Sequence, residues 1–168
     1  MTIEQIFLTQ FSLSLFVVSL LFLWVVKPWL SNQTLQTALF WLMVPHALRH
    51  LGLVFVVPGV VEHSMPQTFA GAAAYGDLAA GVLAIIALIA IKRNWLLMLP
   101  IAWLVNIVGI VDLANALRQA EAIPHMGAAW YIPTFVVPVL LVTHFTMVVL
   151  LAQQRLPTAR VDRTTVNS

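Results

Sequence analysis

The stretch W-L-M-V-P-H-A-L-R-H-L-G-L-V-F, from Trp41 to Phe55, is almost entirely hydrocarbon, yet it carries His46, Arg49 and His50. An apolar run of this kind is typical of a membrane-spanning helix. A charged side chain near the centre of such a helix costs about 2.5–3.5 kcal/mol on insertion scales. The three side chains therefore predict either polar partners on other helices or a water-filled cavity inside the membrane.

The composition of the whole chain agrees with a membrane protein. The 168 residues are 61% hydrophobic and 8% charged, with a mean hydropathy of +0.96, whereas a soluble domain carries about 25% charged residues. The formal net charge is only +2 and no basic patch is present, which excludes a nucleic-acid-binding surface. The absence of cysteine excludes disulfides, thiolate catalysis and iron–sulfur clusters.

Five windows are long and apolar enough to span a bilayer, which takes about 20 residues. We therefore predict an all-α, five-transmembrane-helix bundle forming a single domain of residues 1–154, followed by a flexible cytoplasmic tail of residues 155–168. The predicted spans cover approximately residues 5–26, 35–57, 69–91, 95–117 and 130–152.

The lysines and arginines predict the orientation. Six of those between or after the spans fall on one side of the membrane and one falls on the other, and basic loops stay on the cytoplasmic side. The N-terminus is therefore expected outside and the C-terminus inside, in a bacterial plasma (inner) membrane. The residues counted are Lys27, Lys92, Arg93, Arg155, Arg160 and Arg163 on one side and Arg118 on the other.

Two features predict how the spans pack. The third span carries a ridge of small residues, Ala72, Gly76 and Ala80, which permits close approach of neighbouring helices in lipid and favours a central position. The first span is rich in large apolar residues and is expected at the periphery. Pro45 removes a backbone hydrogen bond inside the second span, so it predicts a kink and a polar opening beside His46.

Counting about 1.5 Å of rise per residue places the intramembrane polar side chains in two layers. The spacing of His46, Arg49 and His50 predicts that they share one face of an α-helix. We expect this face to meet polar groups of the other spans rather than lipid. The outer layer holds Arg49, His50, Asp77 and Asp112, with Tyr75 nearby, and the middle layer holds His46, Asn106 and His144.

The charges of the outer layer do not balance. One arginine faces two aspartates, which leaves one negative charge that a proton or a bound cation must neutralise. Intramembrane ionisable residues are candidates for function. The alternative for Arg49 and Asp77 is a purely structural clamp between two helices.

The leading hypothesis is a cavity, open toward the outer leaflet, that binds a small hydrophobic or amphipathic ligand such as a sterol-like, quinone-like or isoprenoid compound. Apolar pockets with a few convergent polar groups are the usual form of such sites. The protein would be a carrier, a sensor or a binding module. The predicted ligand-binding residues are His46, Arg49, His50, Tyr75, Asp77, Trp103, Asn106, Asp112, Tyr131 and His144, with Phe40, Trp41 and Phe55 as further walls.

The alternative is a membrane enzyme that performs proton-transfer chemistry on a lipidic substrate, with His50, Asp77 and Asp112 as catalytic candidates. No G-x-S-x-G motif is present, which argues against acyl transfer. Proton-coupled transport is a weaker option, because the predicted inner half has few ionisable residues. Membrane lipids are expected partners, and the sequence leaves open a homo-oligomer or a larger membrane complex.

A third hypothesis is a b-type haem electron-transfer protein. Histidines on facing helices can supply two axial ligands, and here they would be His46 or His50 with His144. Small residues on the third span would leave room for the macrocycle.

Two loops on the predicted outer side contain weak candidates for a divalent-metal site, because imidazole and carboxylate groups are suitable ligands. These candidates are Glu62, His63, Glu121 and His125. The stretch 123–127 alternatively predicts a lid over the mouth of the cavity.

The length of the chain and its five-span plan are similar to those of the translocator protein family, which binds porphyrins and sterols. The tryptophan-proline-rich motif of that family is absent, and Trp130-Tyr131-Ile132-Pro133 is too short to replace it. The resemblance therefore covers span number and length, and it assigns no family.

Overall fold

The computed structural model describes residues 1–153, which form helices and their connections and contain no β-strand. Five helices are long and apolar enough to cross a membrane, which confirms the predicted all-α plan of five candidate spans. The predicted tail, residues 155–168, lies outside the described residues. The helices are α1 (Ile3–Leu30), α2 (Leu35–Val56), α3 (Gln67–Lys92), α4 (Met98–Leu117) and α5 (Gly127–Gln153).

Three of these helices change their winding along their length. Regular α-helix in α1 gives way to a π-helical turn, α2 tightens to a 3₁₀-helix after Pro45, and α5 begins with 3₁₀ and π segments. The segments that depart from α geometry are Phe22–Val26 in α1, Leu48–Val56 in α2, and Gly127–Trp130 and Ile132–Val136 in α5.

The helix starts of α1 and α2 are fixed by threonine caps. Thr2 and Gln5 form a reciprocal capping box, in which each side chain accepts a hydrogen bond from the other residue's backbone N–H. The Thr34 hydroxyl accepts from the backbone N–H of Thr37 at 3.2 Å. These bonds satisfy amide groups that a helix start would otherwise leave unpaired.

Helix α3 packs against both α2 and α4. The predicted ridge is wrong at one position, since Ala72 is exposed. The buried small residues follow a neighbouring line that includes Ala73, Ala80, Gly81, Ala84, Ala87 and Ala90. Small side chains along this line allow the three backbones to approach closely.

Helix α1 lies at the periphery, as predicted. Phe7 is the buried residue of its segment Ile3–Leu21. The Phe7 ring meets the edge of Trp130 at a centroid distance of 5.6 Å, and the Trp130 indole N–H donates to the Gln10 side-chain oxygen at 2.5 Å. These contacts fasten α1 to the start of α5.

Two clusters of the apolar core lie near the two ends of the bundle, and a smaller third cluster consists of Leu113, Val137 and Leu140. We use "N-terminal face" for the end where α1 begins and α2 ends. The cluster near this face includes Phe55, Phe69, Ala74, Ala122 and Met126, and the cluster toward the opposite end includes Leu39, Met43, Ala84, Val105 and Met147. Along α2, α4 and α5, the buried polar residues lie between the positions that belong to these two clusters.

Candidate functional site

Arg49, Asp77 and Asp112, from α2, α3 and α4, come together in an ion triad. The Arg49 Nε donates to Asp77 Oδ1 at 2.7 Å, and Arg49 Nη2 lies 2.7 Å from the same oxygen. Nη2 also donates to Asp112 Oδ2, and Nη1 donates to the Gly109 carbonyl at 3.4 Å. One guanidinium therefore links three helices.

The ion triad is almost entirely buried inside the bundle. The Arg49 side chain is 1% exposed, and those of Asp77 and Asp112 are 13% and 17% exposed. Two carboxylates on one guanidinium carry a net charge of −1 when all three groups are ionised. In hydrocarbon such a charge requires compensation by a proton, a cation or a polar guest.

The predicted common face of three residues is wrong for His50. His50 is exposed, and its Nδ1 lies 3.0 Å from the carbonyl of Ala47 in the same helix. The reason is the 3₁₀ winding of Leu48–Val56, which has three residues per turn instead of 3.6. Residues three apart are therefore aligned, and the buried face consists of His46, Arg49, Gly52 and Phe55.

Two glycines make room for the aspartates of the ion triad. A Cβ atom at Gly52 of α2 would overlap the Asp77 carboxylate, and one at Gly76 of α3 would overlap Asp112 Oδ1. Each carboxylate thus rests against the bare backbone of a neighbouring helix. Sequence reasoning used Gly76 only as part of a packing ridge and missed Gly52, although a glycine three residues after a buried arginine was an available signal.

Three polar residues of the predicted middle layer also converge. The His46 and His144 rings lie 3.9 Å apart, centroid to centroid, at an angle of 48°. His144 Nδ1 is 2.9 Å from Asn106 Oδ1, and His46 Nε2 is 2.9 Å from the hydroxyl of Thr143. Thr143 was not predicted, because a threonine next to a histidine in an apolar span carries no distinctive signal.

The neighbouring hydrogen bonds fix the tautomers of both rings. Asn106 donates its amide N–H to the Ala102 carbonyl, so its oxygen accepts from His144 Nδ1. The Thr143 hydroxyl donates to a backbone carbonyl of its own helix, so it accepts from His46 Nε2. The two remaining ring nitrogens, His46 Nδ1 and His144 Nε2, are buried without a partner among residues 1–153 and carry lone pairs.

The haem hypothesis does not fit this geometry. A macrocycle ligated by two histidines separates their rings, whereas the His46 and His144 rings are in direct contact at 3.9 Å. The alternative ligand His50 is exposed on another side of α2.

A small internal chamber adjoins the carboxylates of the ion triad near the N-terminal face. It has a volume of about 60 Å³, and Asp77 and Asp112 are its charged lining residues. One phenylalanine side chain from each of three helices contributes to the remaining wall, which is otherwise mainly aliphatic and includes Ile123 and Met126 of the α4–α5 connection. The phenylalanines are Phe7, Phe55 and Phe69.

A lateral groove of about 240 Å³ runs between α2 and α5 and reaches the other side of the ion triad. Arg49, Gly52 and Asp77 line it together with aliphatic side chains and Phe135. The groove and the chamber share Asp77, Ile132 and Val137. The ion triad therefore borders both an internal space and an opening on the flank of the bundle.

Five aromatic residues predicted to line the cavity lie elsewhere. Phe40 packs against the apolar cluster toward the opposite end, and Trp41 is 55% exposed. Tyr75 and Tyr131 are 65% and 72% exposed, and neither lines the chamber or the groove. Trp103 packs against the apolar cluster toward the opposite end. Counting along the helix predicts a depth but not the direction in which a side chain points, which depends on rotation about the helix axis.

The weak metal candidates do not assemble into a ligand set. Glu62 and His125 meet, with 3.5 Å between Oε2 and Nδ1, and the Ser64 hydroxyl lies 2.8 Å from the same nitrogen. His63 and Glu121 are exposed. Within residues 1–153 no group of three or more histidine or acidic side chains is placed to hold a metal ion.

The comparisons with known proteins give a family without a described activity. No curated protein and no solved structure matches the chain. The model of a family described as a domain of unknown function matches residues 6–152, so the chain belongs to the DUF8737 family.

Proposed function

We propose that this protein binds a small amphipathic molecule within the membrane, with the polar head in the chamber beside the ion triad and the apolar body in the lateral groove. The observation that carries the proposal is the position of Asp77. Its carboxylate borders both spaces, whose other walls are mainly hydrocarbon. Apolar cavities with few convergent polar groups are typical of small-molecule sites.

The two volumes support a ligand that occupies both spaces. The chamber, at about 60 Å³, is comparable with the liquid volume of roughly two water molecules. The groove, at about 240 Å³, is also smaller than the roughly 300–1,000 Å³ of typical ligand pockets. A head group fits the first and a hydrocarbon body fits the second.

The backbone around the groove supports the same site. One wall comes from the 3₁₀ segment Leu48–Val56 of α2 and the other includes the π segment Ile132–Val136 of α5. Stretches of 3₁₀ and π winding inside helices often mark hinges and functional sites. Two such segments facing each other provide a place where the groove can widen for a guest.

We place the N-terminal face outside and the protein in a bacterial plasma membrane, on the distribution of lysine and arginine between the spans. A ligand would then reach the groove from the lipid of the outer leaflet. The exposure of His50 removes one of the three acid–base candidates from the ion triad. Binding is therefore favoured over proton-transfer catalysis, for which only Asp77 and Asp112 remain in place.

The proposal is tested by filling the two spaces. Purified protein is incubated with a total lipid extract of the expression host, washed, and analysed for retained small molecules by mass spectrometry. Ala116→Phe places a ring in the chamber, which Ala116 lines. Leu51→Trp fills the groove from a residue that is 60% exposed and therefore tolerates the larger side chain.

Two matched variants control for added bulk. Ala72→Phe and Leu104→Trp add the same rings at exposed positions that line neither space. We expect a molecule enriched in the wild type and in both controls but depleted in both filled variants. Equal retention in all five proteins, or no enriched molecule in the wild type, would contradict the proposal.

A further inference from the structure

The guanidinium of the ion triad has little capacity to bind an anionic head group. Its Nε and Nη2 donate to Asp77 and Asp112, and its Nη1 donates to the Gly109 carbonyl. The Arg49 side chain is 1% exposed and does not line the chamber. An anion in the chamber would therefore meet the carboxylates and not the arginine.

The chamber instead presents acceptors. Asp77 Oδ1 and Asp112 Oδ2 bind Arg49, whereas the second oxygen of each carboxylate receives no hydrogen bond from residues 1–153. Gln119 is the other polar side chain of the lining, and lysine, arginine and histidine are absent from that lining. A head group that donates hydrogen bonds matches these walls.

The phenylalanines point to the same class of head group independently. Phe7, Phe55 and Phe69 line the chamber together with the carboxylates, and the Phe55 and Phe69 rings meet edge to face at 5.6 Å. Aromatic faces attract organic ammonium groups through their quadrupole, and the attraction is larger where water is excluded. Aromatic rings beside an ion triad that carries a net charge of −1 when all three groups are ionised form a suitable environment for a monovalent organic cation.

We propose that the occupant of the chamber is a cationic amphiphile, a protonated amine or related organic ammonium group on an apolar body, held by Asp77, Asp112 and the three phenylalanines. This inference rests on the proposed function and names the ligand class of the same site. The cation neutralises the net charge of the ionised ion triad, whereas a neutral head group leaves that charge at −1 and an anionic head group makes it more negative.

The test compares amphiphiles with one tail and different heads. Decylamine, decyltrimethylammonium, decanol and decanoate are titrated at neutral pH into the protein in nanodiscs, and titrations of empty nanodiscs provide the partitioning baseline. We expect saturable binding of an ammonium compound about tenfold tighter than that of decanol, because only the cation gains attraction from the carboxylates and the rings. Decanoate is expected to show no saturable binding.

Two variants locate the preference. Asp112→Asn neutralises the excess charge and should abolish most of the difference between ammonium compound and alcohol while alcohol binding persists. Phe7→Leu removes one ring from the peripheral helix and should weaken ammonium binding more than alcohol binding. Its matched control, Phe16→Leu, changes an exposed phenylalanine of the same helix that does not line the chamber and should leave both affinities unchanged.

The outcomes separate the two proposals. Saturable binding of decanol or decanoate as tight as that of the ammonium compounds, lost in Ala116→Phe, would overturn the cationic ligand and leave the binding site standing. An ammonium preference that survives Asp112→Asn and Phe7→Leu would also overturn it. The absence of saturable binding for every member of the series would contradict this inference, and the lipid-retention experiment would then decide the proposed function by itself.

Discussion

Replacing Arg49 by methionine tests the ion triad as an energetic unit. The substitution keeps most of the side-chain volume and leaves Asp77 and Asp112 in an apolar layer without their cation. Removing one partner of a buried ion pair costs about 3–5 kcal/mol. Two carboxylates without a partner, at about 2.5–3.5 kcal/mol each on insertion scales, set an upper limit of about 5–7 kcal/mol.

The sharper prediction concerns the combined substitution of Arg49→Met with Asp77→Leu and Asp112→Leu. Replacement of a complete buried ion cluster by apolar residues is often neutral or stabilising. We therefore expect the triple variant to recover most of the stability that Arg49→Met loses, although it removes more polar contacts. Additive losses are expected only if the three side chains do not interact.

The free energy of unfolding is measured by SDS titration in mixed micelles, with helicity followed by circular dichroism. Arg93→Met is the control, because Arg93 is exposed at the end of α3, and we expect it to change stability by less than about 0.5 kcal/mol. A loss of unfolding free energy below about 1 kcal/mol for Arg49→Met, or a triple variant less stable than Arg49→Met alone, would contradict the claim that the three side chains form one buried ionic unit.

Two further pairs of variants test the packing of the polar layer in the same assay. Gly109→Ala would place a Cβ 2.5 Å from His144 Nε2, whereas a Cβ at Gly71 meets nothing within 4 Å. We expect Gly109→Ala to lower the free energy of unfolding by about 1–3 kcal/mol through overpacking and Gly71→Ala to be neutral or slightly stabilising. Equal effects of the two substitutions would contradict the close approach of α4 and α5. His46→Ala removes a fully buried ring and should lower the free energy of unfolding by about 2–5 kcal/mol. His50→Ala should change it by less than about 0.5 kcal/mol. A larger loss from His50→Ala than from His46→Ala would contradict the 3₁₀ register that exposes His50.

Matching depth between apolar spans predicted much of the candidate site. Arg49, Asp77 and Asp112 were expected at one level, and the structure joins them, because ionic groups in hydrocarbon have few favourable positions apart from one another. The contact of His46 with His144 follows from the same count. The span number was predictable from apolar length, and the close packing of α3 against its neighbours from its small residues.

The sequence did not determine how each helix is rotated or wound. His50 left the expected face because the segment after Pro45 winds as a 3₁₀-helix, and Tyr75 and Tyr131 point outward. Proline predicts a local irregularity, but a kink, a 3₁₀ segment and a π turn can each accommodate the carbonyl that loses its N–H donor. The choice among them depends on packing against the neighbouring helices.

The most direct test of the account measures the ion triad in a lipid bilayer. Protein labelled with ¹⁵N in the arginine side chains and ¹³C at the aspartate carboxyl carbons is reconstituted, and dipolar dephasing between the two nuclei is recorded by solid-state NMR. We expect strong dephasing that is lost in Arg49→Met, since Arg49 contacts both Asp77 and Asp112. Dephasing that is absent, or that is unchanged by this substitution, would show that Arg49 does not join α3 and α4 and would contradict the account.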